Sequence, residues 1–195
     1  MTVPLEVAGS VAVVTGGANG IGKGIVRALL EADATVVIAD IEQDVMDTTV
    51  AVLSASFPGR VSGVLVDVSD ADSVESLADQ VFTVHGRCTL LYNNAGVGSG
   101  GGGRIWTHEP NDWRWCYGVN VFGTANGIMA FVPRMLASGE PGHVVNTSSG
   151  DGGFAPVPSA GLYASSKAAV SCMTETLDHQ LRAESEAMGA SVFYP

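Results

Sequence analysis

Basic side chains are scarce in this sequence: 9 Lys and Arg stand against 20 Asp and Glu in 195 residues, a net charge of -11. A field of that sign repels nucleic acid and anionic membranes, so any phosphate site has to rest on backbone N–H groups rather than on a basic patch. Cysteine is almost missing. Cys88, Cys116 and Cys172 are widely spaced, odd in number and form no CxxC pair. That argues against a disulfide framework and for reduced thiols, each read as a small core residue. Long apolar runs are missing too, since no window reaches the roughly 18 residues of a spanning helix. The start, MTVPLEVAGS, lacks the positive region and apolar stretch of a signal peptide. His85, His108, His143 and His179 are scattered without metal-ligand spacing. These absences lead to the expectation of a soluble cytoplasmic protein without a metal, a nucleic-acid partner or a membrane partner.

What is plentiful is hydrophobic residues, at 46%, and glycine, with 25 residues in clusters. The first predicts a globular chain, of a length that suits one domain over residues 1–195. The second predicts tight turns and close backbone approaches. Short β-branched runs alternate with longer stretches of helical period. Strands are expected at Val11–Thr15, Thr35–Asp40, Val61–Val66, Thr89–Asn93, Val144–Thr147 and Ser191–Tyr194. Their Val/Ile-rich, nearly unalternated character fits strands covered on both faces by helices. Helices are expected at Gly20–Glu31, Ile41–Ser56, Ser73–Val84, Trp113–Leu136 and Tyr163–Met188. Ser73–Val84 is the clearest, with Val74, Leu77, Ala78, Val81 and Phe82 on one helical face. This alternation predicts an α/β fold: a Rossmann-like, doubly wound parallel sheet in a three-layer α/β/α arrangement. Ligands bind such sheets outside the carboxyl ends of the strands, which directs attention to the residues after each strand. The tract Gly96–Gly103 follows the fourth strand and reads either as a mobile loop at the ligand edge or as a surface loop without a role.

Thr15-Gly16-Gly17-Ala18-Asn19-Gly20-Ile21-Gly22 joins the first strand to a helix. Glycines there let the backbone approach a pyrophosphate, while the helix N-terminus presents free N–H groups and partial positive charge. Gly16, Asn19, Gly20, Ile21 and Gly22 are the candidate phosphate-side residues. Asp40 ends the second strand, eighteen positions beyond Gly22. An acid there accepts hydrogen bonds from ribose hydroxyls and repels a 2′-phosphate, which favours NAD(H) over NADP(H). It would equally suit an N-cap for the next helix. Asp67 and Val68 close the third strand and would flank the adenine, although Asp67 alone also reads as a turn residue. Trp106, Trp113 and Trp115 would line a substrate mouth, or pack helix against sheet.

TGGANGIG resembles the glycine motif of the short-chain dehydrogenase/reductase family. Asn93-Asn94-Ala95-Gly96 is similar to the motif that family carries after its fourth strand, which assigns Asn94, Ala95 and Gly96 to the cofactor. Val119-Asn120-Val121-Phe122-Gly123, Asn146-Thr147-Ser148-Ser149 and Tyr163-Ala164-Ser165-Ser166-Lys167 resemble its segments bearing the catalytic asparagine, serine and Tyr-x-x-x-Lys pair. The resemblance runs from about Val7 to Pro195. It implies an NAD-dependent oxidoreductase acting on a secondary alcohol or ketone. In that role Tyr163 is the general acid/base, Lys167 lowers its pKa and holds the nicotinamide ribose, Ser149 orients the substrate oxygen and Asn120 joins a proton relay. Ser149 is chosen over Ser148 as the fourth place of the Asn-x-x-Ser pattern. The chemistry is sound on its own terms. Tyr163 and Lys167, four apart, share a helix face, and a nearby ammonium favours the phenolate. An ordinary Tyr–Lys surface contact would have the same spacing, and Ser149 equally suits the opening of a turn before Gly150.

The family's chain normally continues past the sixth strand with a Pro-Gly turn, a substrate-covering loop and a final strand. Pro195 resembles the proline of that turn and is assigned to the nicotinamide side, so the C-terminal segment and last strand are expected to be missing. The family's two long helices, here Trp113–Leu136 and Tyr163–Met188, imply a homodimer or homotetramer. The alternative reading is a nucleotide-binding module that has lost turnover and acts only as a binding or dimerising subunit.

Overall fold

The computed structural model describes residues 6–98 and 103–195. Strands β1 (Val11–Thr15), β2 (Thr35–Asp40), β3 (Val61–Leu65), β4 (Leu90–Asn93), β5 (Gly142–Thr147) and β6 (Met188–Phe193) form one parallel sheet in the order β3-β2-β1-β4-β5-β6. The helices are α1 (Gly20–Glu31), α2 (Gln43–Ser56), α3 (Ala71–His85), α4 (Pro110–Tyr117), α5 (Gly123–Ser138), the single turn α6 (Gly150–Gly153) and α7 (Gly161–Glu184). The strand order reverses between β1 and β4. That is the place where an open α/β sheet leaves a crevice at its carboxyl edge. Of the expected Gly96–Gly103 loop, residues 99–102 lie outside the described residues.

Both faces of the sheet are packed. Val13, Val37, Leu91 and Val144 face α3, α5 and α7 through Leu77, Val81, Phe131, Met135, Leu177 and Leu181. Ala12, Val14, Val36 and Ile38 face α1 and α2 through Val26, Leu30, Met46 and Leu53. This second cluster takes no residue of β5 or β6. Full burial of β1 follows from its content: VAVVT has an apolar or β-branched side chain at every position, so neither face needs water. Caps fix the helix ends. Asn19 accepts the Gly20 N–H at the start of α1, Asp70 accepts the Asp72 N–H at the start of α3, and Gly86 ends α3 at φ 74°.

Several boundaries and one general expectation are corrected. β3 is not covered on both faces; Ser62, Gly63 and Leu65 are exposed, because β3 is an edge strand with α2 on one side only. Gly63 is where α2 presses closest, since a Cβ there would lie 2.9 Å from Met46 Sδ. The last helix stops at Glu184 instead of running to Met188, and the last strand begins at Met188 instead of Ser191. Pairing decides this: Met188–Phe193 registers against Gly142–Thr147. The expected Trp113–Leu136 helix starts earlier, at Pro110, and is interrupted by a π-helical turn, Gly118–Phe122. Among the described residues no helix is long and apolar enough to cross a membrane.

Candidate active site

The crevice is built by two loops held edge to edge. Thr15, at the end of β1, accepts the N–H groups of Asn94 and Ala95 on its Oγ1 at 3.0 and 3.1 Å. Asn94 returns the contact, with Nδ2 donating to the carbonyls of Thr15 (3.1 Å) and Gly16 (3.3 Å). Gly16 sits at φ 61° against Ala95, where a Cβ would come within 2.9 Å of the Ala95 Cα. Gly22 fits only because it has no side chain; a Cβ would overlap the Gly16 carbonyl and lie 2.6 Å from Asn94 Nδ2. The glycines therefore let α1 start close under the turn, with its free N–H end toward the crevice.

Asp40 ties the second strand to this turn. Its Oδ2 accepts the Ala18 N–H at 2.9 Å and its Oδ1 the Glu42 N–H at 3.1 Å. The N-cap position of α2 belongs to Glu42, so Asp40 does not cap that helix. Asp67 closes a turn, its Oδ1 accepting both the N–H (2.9 Å) and the hydroxyl (2.7 Å) of Ser69.

Two clefts run along the carboxyl edge. The first, of about 460 Å³, is lined by Asn19, Gly20, Ile21, Gly22, Asn94, Gly98, Thr147, Ser148, Tyr163, Lys167 and Pro195. The second, of about 430 Å³, is lined by Ala39, Asp40, Ile41, Glu42, Val66, Asp67, Val68, Trp115 and Val119. Gly16, Ala95, Gly96 and Val97 line both, so the clefts form one groove with a waist of small residues. The groove gathers all of the residues that the sequence assigned to a cofactor. Two of the four proposed catalytic residues, Asn120 and Ser149, do not line it.

Tyr163 and Lys167 lie on the first turns of α7. Lys167 is 3% exposed; its Nζ donates to the Thr147 carbonyl at 2.9 Å and stands 5.8 Å from the centre of the Tyr163 ring. Burial penalises the ammonium and brings its pKa from 10.5 down to about 8. The two neighbouring serines have separate fates. Ser148 is 1% exposed and fully engaged, donating to the Lys167 carbonyl at 2.9 Å and lying 2.8 Å from Ser171 Oγ. Ser149 is half-buried at the start of α6, and its Oγ accepts the Asp151 N–H at 3.2 Å while its own O–H has no partner among the described residues.

Asn120 is fully buried on the π-helical turn. Its Oδ1 accepts the Val97 N–H at 2.8 Å, and its Nδ2 donates to the Val97 carbonyl at 3.0 Å and to Ser166 Oγ at 2.9 Å. Ser166 in turn donates to the Tyr163 carbonyl at 2.7 Å. The asparagine side chain is thus a clamp between the loop after β4 and the first turn of α7. A single inserted residue in the helix ladder, as π turns supply, is what aims it there. Val97, Thr147 and Val119 line this groove without having been singled out from sequence, and Trp115, read there with Trp106 and Trp113 as a wall of a substrate mouth or a packing residue, lines the second cleft. Trp115 and Val119, four apart on one helical stretch, carried the only periodic signal.

A family model described as short chain dehydrogenase matches residues 10–187. The chain is 39% identical over 186 residues to C alpha-dehydrogenase of Sphingobium sp., covering 95% of this chain and 59% of that protein. It thus spans about three fifths of that relative's length. Among solved structures, a short chain dehydrogenase/reductase from Burkholderia phymatum in complex with NAD superposes with a TM-score of 0.94 at 41% identity, covering 98% of this chain and 67% of that one. A metagenomic short-chain oxidoreductase in complex with NADP gives 0.88 at 32% identity, covering 98% and 84%.

Proposed function

The chain belongs to the short-chain dehydrogenase/reductase family, oxidoreductases that use NAD(P), and from that premise we propose that it moves a hydride between NAD(H) and a secondary alcohol or its ketone. The observation that carries this reading is the buried Lys167 ammonium beside Tyr163 in the wall of the groove. Residues 1–195 are read as a single dinucleotide-binding domain that also carries the chemistry.

The groove suits a dinucleotide. Glycines without a Cβ line its phosphate side, Asp40 offers carboxylate oxygens at one end, and Tyr163, Lys167 and Pro195 stand at the other. Bound there, NAD supplies the hydride acceptor, and its reduced form the donor. Tyr163 takes the hydroxyl proton as the carbinol carbon gives up its hydride; in the reverse direction it returns the proton to the carbonyl oxygen. The Lys167 ammonium would offset the charge on the phenolate, lowering the Tyr163 pKa, and would hold the nicotinamide ribose. Ser149, two residues beyond β5 and with no partner for its O–H among the described residues, would donate to the substrate oxygen. Since the Asn120 amide is committed to Val97 and Ser166, its part in a proton relay falls to its main-chain carbonyl, which already accepts the Thr124 hydroxyl at 2.9 Å.

NAD is preferred because Asp40 sets a negative charge where the 2′-phosphate of NADP would lie. A dimer would form through α5 and α7, where Phe122 (on the adjoining π turn), Met129 and Cys172 are exposed. The free cysteines suit a reducing cytoplasm.

The test is calorimetric titration with NAD(H) and NADP(H), followed by turnover on a panel of secondary alcohols. NAD(H) should bind more tightly, Asp40→Ala should relax the ratio, and Tyr163→Phe should keep cofactor affinity while losing turnover by about 100-fold or more. An unchanged ratio in Asp40→Ala would refute the NAD assignment. Full turnover in Tyr163→Phe would refute the chemistry. NAD binding without reduction of any alcohol would favour the binding-module alternative.

A further inference from the structure

Tyr194 follows β6 and lines neither cleft of the groove, yet its side chain reaches both ends of the turn that carries Ser149. Its ring lies against Gly153: a Cβ on that glycine would overlap the Tyr194 ring and come within 3.1 Å of Ser148 Oγ. Phe154, the next residue, has its ring 4.2 Å from that of Tyr194 at a tilt of 32°. These contacts hold the far end of α6. Ser148 holds the near end. Its N–H donates to the Phe193 carbonyl at 2.8 Å, and its hydroxyl lies 2.8 Å from Ser171 Oγ. The Tyr194 hydroxyl donates to that same Ser171 oxygen at 3.2 Å.

The three hydroxyls run in one direction. Each has a single proton to give. The Lys167 carbonyl stands 2.9 Å from Ser148 Oγ and 3.2 Å from Ser171 Oγ. Tyr194 therefore donates to Ser171, Ser171 to Ser148, and Ser148 to the Lys167 carbonyl, so that every proton is used. Ser148 and Ser171 are 1% and 7% exposed, and a buried hydroxyl that loses a partner is costly. Ser149 has no such anchor of its own. Among the described residues its Oγ has only the Asp151 N–H, from within the same turn, so the direction of its O–H follows the turn.

We propose that Tyr194 is a positioning residue, which fixes the Ser149 turn through both its ring and its hydroxyl and so aims the Ser149 O–H at the substrate oxygen. The proposal rests on the role given to Ser149 above. A hydrogen bond weakens steeply as its angle and distance depart from the best values, so a turn free to shift would cost turnover even with the serine present. Because Tyr194 lines neither cleft, its effect on the reaction passes through Ser149.

The experiment is a double-mutant cycle on the full chain, read as NAD reduction with 2-propanol, cyclohexanol and 1-phenylethanol. Ser149→Ala should lower kcat by about 100-fold. Tyr194→Ala should lower it by about tenfold in the parent and by less than about twofold in the Ser149→Ala background. NAD affinity by calorimetry should stay within about threefold throughout. Tyr194→Phe keeps the ring and should lose about threefold, again only while Ser149 is present; it guards against a folding defect in the alanine variant. Hydrogen exchange at the Gly153 and Phe154 amides should quicken in Tyr194→Ala. Equal losses with and without Ser149, or unchanged exchange, would overturn the positioning role and leave the hydride-transfer reading in place. A parent chain that binds NAD and reduces none of it with these alcohols would overturn both.

Discussion

Replacing Lys167 with methionine isolates the cost of keeping an ammonium in the protein interior. The side chain is 3% exposed, and burial brings its pKa from 10.5 to about 8. A folded-state pKa below the unfolded one means that, between pH 8 and 10.5, the unfolded chain holds a proton that the folded chain has shed. Stability from this group therefore rises with pH across that window, and below pH 8 the folded chain carries the ammonium at full cost. That cost is about 3 kcal/mol at pH 7. Methionine removes it but leaves the Thr147 carbonyl without its donor, which offsets about 1 kcal/mol. The variant should be about 2 kcal/mol more stable than the parent at pH 7, a rise in Tm of roughly 4–8 °C for a chain of this size. The gap should close by pH 10, where the parent amine is neutral. Paired thermal melts without cofactor at pH 7 and pH 10 decide the matter. A variant less stable than the parent at pH 7, or a gap unchanged at pH 10, would refute the argument. Confirmation would mark Lys167 as a position where stability has been given up for chemistry.

Ser166→Ala removes the acceptor of the Asn120 Nδ2–H inside the core, and should cost about 1–3 kcal/mol by urea unfolding with an unchanged m-value; a change below about 0.5 kcal/mol would show that the clamp is redundant. Gly22→Ala forces a methyl onto the Gly16 carbonyl and Asn94 Nδ2, so NAD affinity should fall by more than about tenfold while the far-UV spectrum is retained; parent-like affinity would show that the turn can widen.

Much of this architecture is legible from residue order. β1, α1 and β2 begin and end where their patterns predict, because a buried β-branched run, a glycine turn and a second such run leave little competition. The last strand is harder. Met188-Gly189-Ala190 has weak strand preference and joins the register of β5 through pairing, a tertiary effect that periodicity cannot register. The edge position of β3 depends likewise on strand order, and VSGVL alone does not announce that Leu65 faces water. In the site, glycines and acids after strands could be placed because topology sends every strand end to one crevice. The clamp could not: Asn120 reaches Val97 and Ser166 through a π-helical turn, and one extra residue in a helix leaves no mark in the spacing. Trp115 shares its reading with the other tryptophans, and the fold brings it to the second cleft.

The waist of the groove, Gly16, Ala95, Gly96 and Val97, presents main chain and small apolar groups where a dinucleotide's phosphates would cross. A phosphate held by lysine or arginine loosens as salt screens the pair. One held by the N–H groups of a glycine turn and a helix end depends on oriented dipoles in direct contact with it. In a chain with net charge -11 and 9 Lys and Arg, this arrangement needs no cluster of the few basic side chains. Added salt should therefore not loosen such a grip and should tighten it slightly, because screening relieves the repulsion between an anionic ligand and the acidic surface.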